Sequence, residues 1–145
     1  MTNNGKRTQC RQQMADDLMA VYREIYADCP MGTTQTEVYD RVVRHPAPRY
    51  YIDPRRAMAV ISPMMRGDTS VLKSLSPLKQ EMYESLAETV LRLKQRSRFW
   101  QKSLYYTLKE AVLEPAPRFY VGAKRMEQIW KERQEETRQR RRITA

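Results

Sequence analysis

The sequence has one histidine, His45, two cysteines and four glycines. A lone imidazole and two distant thiols do not make a zinc ligand set. No Ser-His-Asp or Cys-His arrangement stands out. The carboxylates are interleaved with cations on helix faces instead of being paired for acid–base work. The chain therefore reads as a non-enzyme with no cofactor and no metal. Gly5, Gly32, Gly67 and Gly122 all fall where a turn or tail is expected. That leaves no glycine-rich phosphate loop and suits an all-helical chain. No apolar run approaches the ~18 residues of a membrane span, and Met1-Thr2-Asn3-Asn4-Gly5-Lys6 leads into polar sequence, not the core of a signal peptide. Cys10 and Cys29 lie near opposite ends of one predicted helix, about 28 Å apart at ~1.5 Å rise per residue. That is too far for an intrachain bridge, so free thiols in a reducing, cytoplasmic compartment are expected.

What the chain does have is positive charge. It carries 27 Lys and Arg against 17 Asp and Glu, a net charge of +10, and 19 of the cations are Arg. The planar guanidinium fork suits phosphate and carboxylate. The charge is uneven: the net is 0 over residues 1–30, +2 over 31–68, +3 over 69–100 and +5 over 101–145. A polyanionic partner is the natural inference, set against a basic surface that only aids solubility. At 145 residues, 41% hydrophobic and 30% charged, the chain fits one domain or two very small ones with a modest core.

The organising stretch is Pro46-Ala47-Pro48-Arg49-Tyr50-Tyr51, which returns as Pro115-Ala116-Pro117-Arg118-Phe119-Tyr120 at an offset of 69 residues. An aliphatic residue follows both times (Ile52, Val121), then a basic helix-like run in which Arg56 matches Arg125 and Met58 falls near Met126. The spacing predicts an internal duplication of a three-helix unit. Helices are predicted near 6–28, 35–45, 53–66, 77–97, 103–113 and 122–140, with residues 1–5 as a frayed tail. The first repeat is placed at 6–68 and the second, with its basic tail, at 76–142. The two are expected to pack as one compact all-α body, because a unit of about 65 residues is marginal alone. Thr34 with Glu37 forms a candidate capping box. Asp53-Pro54 and Ser76-Pro77 are cap-plus-proline starts, and Ser103 caps the helix after it. Pro63 is expected to kink or end its helix early, and residues 68–75 are expected to link the halves. Met14, Leu18, Tyr22 and Ile25 match Met82, Leu86, Val90 and Leu93 at an offset of 68.

Four features bear on function. In the twin motif, the prolines fix an extended path and the aromatics plug the gap between flanking helices. Arg49 and Arg118 would tie each loop to a helix C-terminal carbonyl or a carboxylate. The rival reading puts Arg on phosphate and an aromatic on a base, but a pattern kept in both copies is what a shared fold requires. Second, Arg55, Arg56, Lys124 and Arg125 sit in the first turn of a helix that follows a short helix and a connection, as in helix-turn-helix readers of DNA. The connection is longer than the usual three or four residues. Third, Arg138, Arg140, Arg141 and Arg142 form a basic end of the kind that binds nucleic-acid backbone. Fourth, Arg96, Arg98, Phe99, Trp100 and Lys102 interleave aromatics with cations; stacking on bases competes with packing at a helix corner, and packing is preferred.

The twin motif resembles one seen in small helical proteins of bacterial phages and mobile elements. The resemblance covers the two motif segments and the helices beside them, and it implies no activity and no functional residues. The sequence thus points to a non-enzymatic nucleic-acid-binding protein, for DNA or RNA. The rival is a structural or adaptor protein, with Met58, Met64 and Met65 facing a protein partner or a second copy of the chain.

Overall fold

The computed structural model describes the backbone of residues 2–96 and 102–144 and the side chains of residues 9–96 and 102–143. Seven α-helices occur among the described residues: α1 (Thr2–Asp28), α2 (Gln35–Arg44), α3 (Pro54–Met65), α4 (Ser70–Lys73), α5 (Pro77–Lys94), α6 (Leu104–Ala111) and α7 (Ala123–Thr144). Among the same residues, extended pairing is limited to one isolated bridge. The all-α expectation holds, and among the described residues no helix is long and apolar enough to cross a membrane.

Local chemistry sets the helix starts. At α2, the Thr34 hydroxyl accepts from the Glu37 N–H at 3.2 Å and the Glu37 carboxylate accepts from the Thr34 N–H at 3.3 Å. This reciprocal box satisfies two orphan donors. At α3, Pro54 opens the helix and the Asp53 carboxylate accepts from the Arg55 N–H at 3.3 Å. At α6, the Ser103 hydroxyl accepts from the Tyr106 N–H at 3.2 Å. Ser76 makes no such bond, so Pro77 alone marks the start of α5.

Three segments depart from expectation. First, α1 begins at Thr2; Asn3-Asn4-Gly5 is poor helix-forming sequence, but it contains no proline to stop the helix. Second, α3 runs through Pro63 to Met65. Pro63 falls in the last turn, so its missing N–H removes one intrahelical bond, and the helix ends two residues later. The chain then turns at Gly67, φ +87°, whose N–H reaches the Met64 carbonyl at 3.0 Å, a conformation glycine adopts without a Cβ penalty. Third, residues 68–75 are not an open linker. They contain α4, with Leu72 buried and the Asp68 carboxylate accepting from the Ser70 N–H at 3.0 Å and the Ser70 hydroxyl at 2.7 Å.

The two motif loops meet each other. Ala47 and Ala116 exchange both backbone bonds, at 3.0 and 2.9 Å. The Tyr50 N–H donates to the Val112 carbonyl at 2.9 Å, and the Phe119 N–H donates to the Val43 carbonyl at 3.0 Å. Tyr51 stacks on Phe119 at 5.9 Å and Tyr50 on Tyr120 at 6.3 Å. Adding or removing 69 turns each contact into its partner. Burial shows the same pairing. Val38, Tyr39, Val42 and Val43 of α2 are buried like Thr107, Leu108, Ala111 and Val112, while Ala15, Leu18, Met19, Val21 and Tyr22 of α1 are buried like Tyr83, Leu86, Ala87, Thr89 and Val90 of α5, at an offset of 68. At 69 residues from Met126 stands Ala57, also fully buried; Met58 is only half-buried.

Helix packing crosses the halves. α1 packs on α2 and α5 on α6, but α3 lies on α6 and α5, and α7 lies on α2 and α1. The third helix of each half thus completes the apolar face of the other. Phe119 is fully buried at this junction, and a side chain of that size contributes about 1.5–3 kcal/mol on burial.

Two outcomes follow. Phe119→Ala should cost about 3–5 kcal/mol, read as a lowered urea midpoint. Residues 1–70 and 71–145, expressed apart, should each show weak helical circular dichroism and regain it on mixing. Independent cooperative folding of either piece would contradict the interlocked packing.

Candidate nucleic-acid interface

Arg49 and Arg118 are half-buried in the motif loops. Each Nε donates to the carbonyl of the following residue, Tyr50 and Phe119, at 3.1 Å. Their guanidinium carbons lie 5.9 and 5.8 Å from the ring centres of Tyr51 and Tyr120, within cation–π range. Arg49 also donates to the Gln13 side chain at 3.2 Å. The expected tie to a helix C-terminal carbonyl or carboxylate is therefore replaced by bonds within the loop and to Gln13. The extended backbone leaves its own carbonyl within reach, and the tyrosine beyond it supplies a flat cation-binding face. Both arginines line one small cavity of about 40 Å³ with Met14, Met82 and Tyr120.

The helix-start cations point in different directions. Arg55 is exposed and lies 6.0 Å from the Tyr105 ring on α6, which Lys109 also approaches at 5.8 Å. Arg56 is exposed at the rim of a groove of about 400 Å³, where Arg11 and Lys79 join it over Met14, Val60 and Met82. Lys124 and Arg125 are exposed at the start of α7, and Arg125 approaches Glu132 at 4.0 Å. A helix-turn-helix unit requires its two helices to pack together. Here α2 and α3 do not, because α3 lies on α6 and α5. The helix-turn-helix reading is set aside on that ground.

Arg138, Arg140, Arg141 and Arg142 project, exposed, from the last turns of α7. Lys124 and Arg142 are separated by about 27 Å along one helix at ~1.5 Å per residue. The structure thus brings Arg49 together with Arg118, sets Arg56 beside Arg11 and Lys79, and leaves the tail as a separate cluster. Phe99, Trp100 and Arg98 lie outside the described residues. Of their neighbours, Arg96 and Lys102 are exposed, and the Lys102 ammonium lies 5.2 Å from the Tyr106 ring. No family model, curated protein or solved structure matches the chain.

A further group was missed from sequence. Where α7 crosses α1, Trp130 stacks on Tyr22 at 4.0 Å and Tyr26 stacks on the same Tyr22 at 5.8 Å. Arg133 reaches across to Asp16 at 2.7 Å and to the Gln12 carbonyl at 3.4 Å, so the charged end of α7 is anchored by an ion pair where its apolar stripe stops. Arg23 and Trp130 line two adjoining clefts of about 350 and 690 Å³. The i, i+4 spacing of Tyr22 and Tyr26 was visible, but the arrival of Trp130 was not, because it depends on α7 crossing to the other half.

Among the described residues no group of three His, Cys, Asp or Glu side chains is placed to hold a metal. The His45 ring Nδ1 lies 2.7 Å from the Pro46 carbonyl oxygen, and Cys10 and Cys29 are unbridged. The Tyr51 hydroxyl donates to the Asp17 carboxylate at 2.5 Å; burial first, and then this bond, hold the phenol above its ordinary range. Burial also raises Tyr39, Tyr83 and Tyr120. A folded-state rise means that the unfolded tyrosines ionise first, so stability should be full below pH ~10 and fall as pH rises through it. Tyr51→Phe should lose about 1–2 kcal/mol at neutral pH through the missing bond and show a shallower alkaline fall. Urea melts across pH 7–11 read both effects.

Proposed function

We propose that this is a non-enzymatic nucleic-acid-binding protein that meets the phosphate backbone through its helix-start cations and the basic end of α7. The observation that carries the reading is the state of its charges. Arg55, Arg56, Lys124, Arg138 and Arg142 are exposed and have no carboxylate within ion-pair distance among the described residues. Arg55 and Lys124 stand in the first turn of their helices, where a cation opposes the helix dipole. The helix dipole does not account for them there, whereas a phosphate partner would; the Tyr105 ring beside Arg55 offsets part of that cost. The reading includes a chain made by doubling a three-helix unit, 6–68 and 76–142, supported by the paired bonds 69 residues apart. It also includes a cytoplasmic setting, supported by two free thiols, and an origin in a phage or mobile element, for which the motif is the only support.

The adaptor alternative has weaker support. Met58 and Met64 are partly packed against the core, and Met65 is the more exposed of the three. Other exposed apolar residues, such as Met31, Leu91 and Leu113, occur singly in sequence, which is ordinary for a folded surface.

Replacing Arg140, Arg141 and Arg142 by Gln should weaken binding to duplex DNA, single strands and RNA alike. It should also reduce the slope of log K against log salt by about 0.7–0.9 per lost phosphate contact. An unchanged affinity and slope in a salt-titrated anisotropy series removes the tail from the interface.

A further inference from the structure

A cleft with an aromatic lining opens between α1 and α7. Its floor is a run of stacked aromatics: the planes of Tyr26 and Tyr22 differ by 14° and those of Tyr22 and Trp130 by 28°. Tyr22 is buried inside the run, Trp130 is half-buried, and Tyr26 is 60% exposed at its outer end. The larger cleft, about 690 Å³, is lined by these three with Arg23, Thr33 and Gln35. The Gln35 side-chain oxygen accepts from the Tyr22 hydroxyl at 3.0 Å, which leaves its amide N–H groups free to donate. Thr33 donates its hydroxyl proton to the Pro30 carbonyl at 2.7 Å, which leaves its oxygen free to accept. A π-face, a donor, an acceptor and a cation thus converge on one opening.

The other half does without these aromatics. At the counterpart positions, 68 or 69 residues away, the other half has Val90 for Tyr22, Leu91 for Arg23, Lys94 for Tyr26 and Ile61 for Trp130. That end has aliphatic residues and one lysine in their place, and Ile61 is fully buried where Trp130 is half open. The adjoining cleft continues the surface past Arg23 and Trp130 to Arg133, Gln134 and Arg140. Its carboxylate, Asp16, is neutralised by Arg133 at 2.7 Å, so the lining suits a phosphate chain.

We infer that this cleft takes an unpaired nucleobase of single-stranded nucleic acid. The base stacks on Tyr26, the exposed end of the run, its polar edge meets Gln35 and Thr33, and its flanking phosphates lie along Arg23 and the adjoining cleft. Paired bases cannot enter, because both of their faces are occupied within the duplex; sequence-tolerant stacking on aromatic side chains is the physics of single-strand binding. The inference rests on the nucleic-acid reading above and narrows it to unpaired strands.

The test is fluorescence anisotropy with labelled single-stranded DNA, single-stranded RNA and a duplex of the same sequence. Wild type, Tyr26→Ala and Tyr26→Phe are compared at several salt concentrations, with circular dichroism as a check on folding. Tyr26 is exposed enough for its loss to spare the core. The expected result is tighter binding of single strands than of duplex by wild type. Tyr26→Ala should lose about 5- to 100-fold on single strands, with duplex affinity and salt slope unchanged, and Tyr26→Phe should retain wild-type affinity. A preference for DNA or RNA among the single strands identifies the natural ligand. Equal binding of duplex and single strands, indifferent to Tyr26→Ala, overturns the inference and leaves the phosphate reading standing. Failure to bind any of the three ligands at low salt sinks both.

Discussion

The structure depends on one reciprocal pair of backbone hydrogen bonds, between Ala47 and Ala116. Each alanine sits between two prolines. Proline has no N–H to give, so the pairing cannot extend on either side into a ladder. Both alanines are almost wholly buried, and a larger side chain there would push the loops apart. Around this point the two halves serve each other. The Val43 and Val112 carbonyls stand at the ends of α2 and α6, where the helix leaves acceptors without internal partners. Each is taken by a backbone N–H from the opposite loop, that of Phe119 or Tyr50. One half alone would expose an unsatisfied helix end and an unpaired loop, both costly once buried.

This crossing also determines where the long helices lie. Because the loops exchange partners, α3 is delivered onto α5 and α6, and α7 onto α1 and α2. Ala57, Val60 and Ile61, and in the other half Met126 and Ile129, then cover apolar faces that belong to distant stretches of chain. The Arg133–Asp16 pair and the Trp130–Tyr22 stack are consequences of that delivery. The aromatic cleft is therefore tertiary in origin: neither α1 nor α7 contains it.

The helices were largely legible because their ends carry local chemistry. Thr34 with Glu37, Asp53 with Pro54, and Ser103 each cap as their residue types allow. The 68-residue match between α1 and α5 was legible because buried positions repeat at helical spacing. Other features failed for physical reasons. Residues 68–75 looked like a linker because α4 is a single turn held by Leu72 and an Asp68–Ser70 clasp, too short to show periodicity. Pro63 looked like a helix end because the sequence does not say how near the last turn already is. Arg49 and Arg118 were read as tying their loops to a helix C-terminal carbonyl or a carboxylate, but a charged head with a carbonyl one residue away and a ring two residues away finds its closest partners in its own loop. Helix packing across the halves left no mark in the sequence at all, since an apolar stripe names no partner.

Positions that hold the fold and positions open to a ligand separate on the same comparison. In the twin loops, where both halves keep a residue type, the group is consumed internally: Arg49 and Arg118 fold onto their loops, and Tyr51 and Tyr120 stack across them; Arg56 and Arg125, also kept in both halves, stay exposed. Where the halves differ, one member is left facing solvent. Trp130 is half open against a buried Ile61, and Tyr26 and Arg23 are exposed where Lys94 and Leu91 stand opposite. Leu91 is itself 52% exposed and Lys94 is half-buried, so that end carries no aromatic ring at these positions. The paired backbone bonds lie in the interior, whereas the two ends differ: Tyr22 and Trp130 stand at one, and Val90 and Ile61 at the counterpart positions of the other.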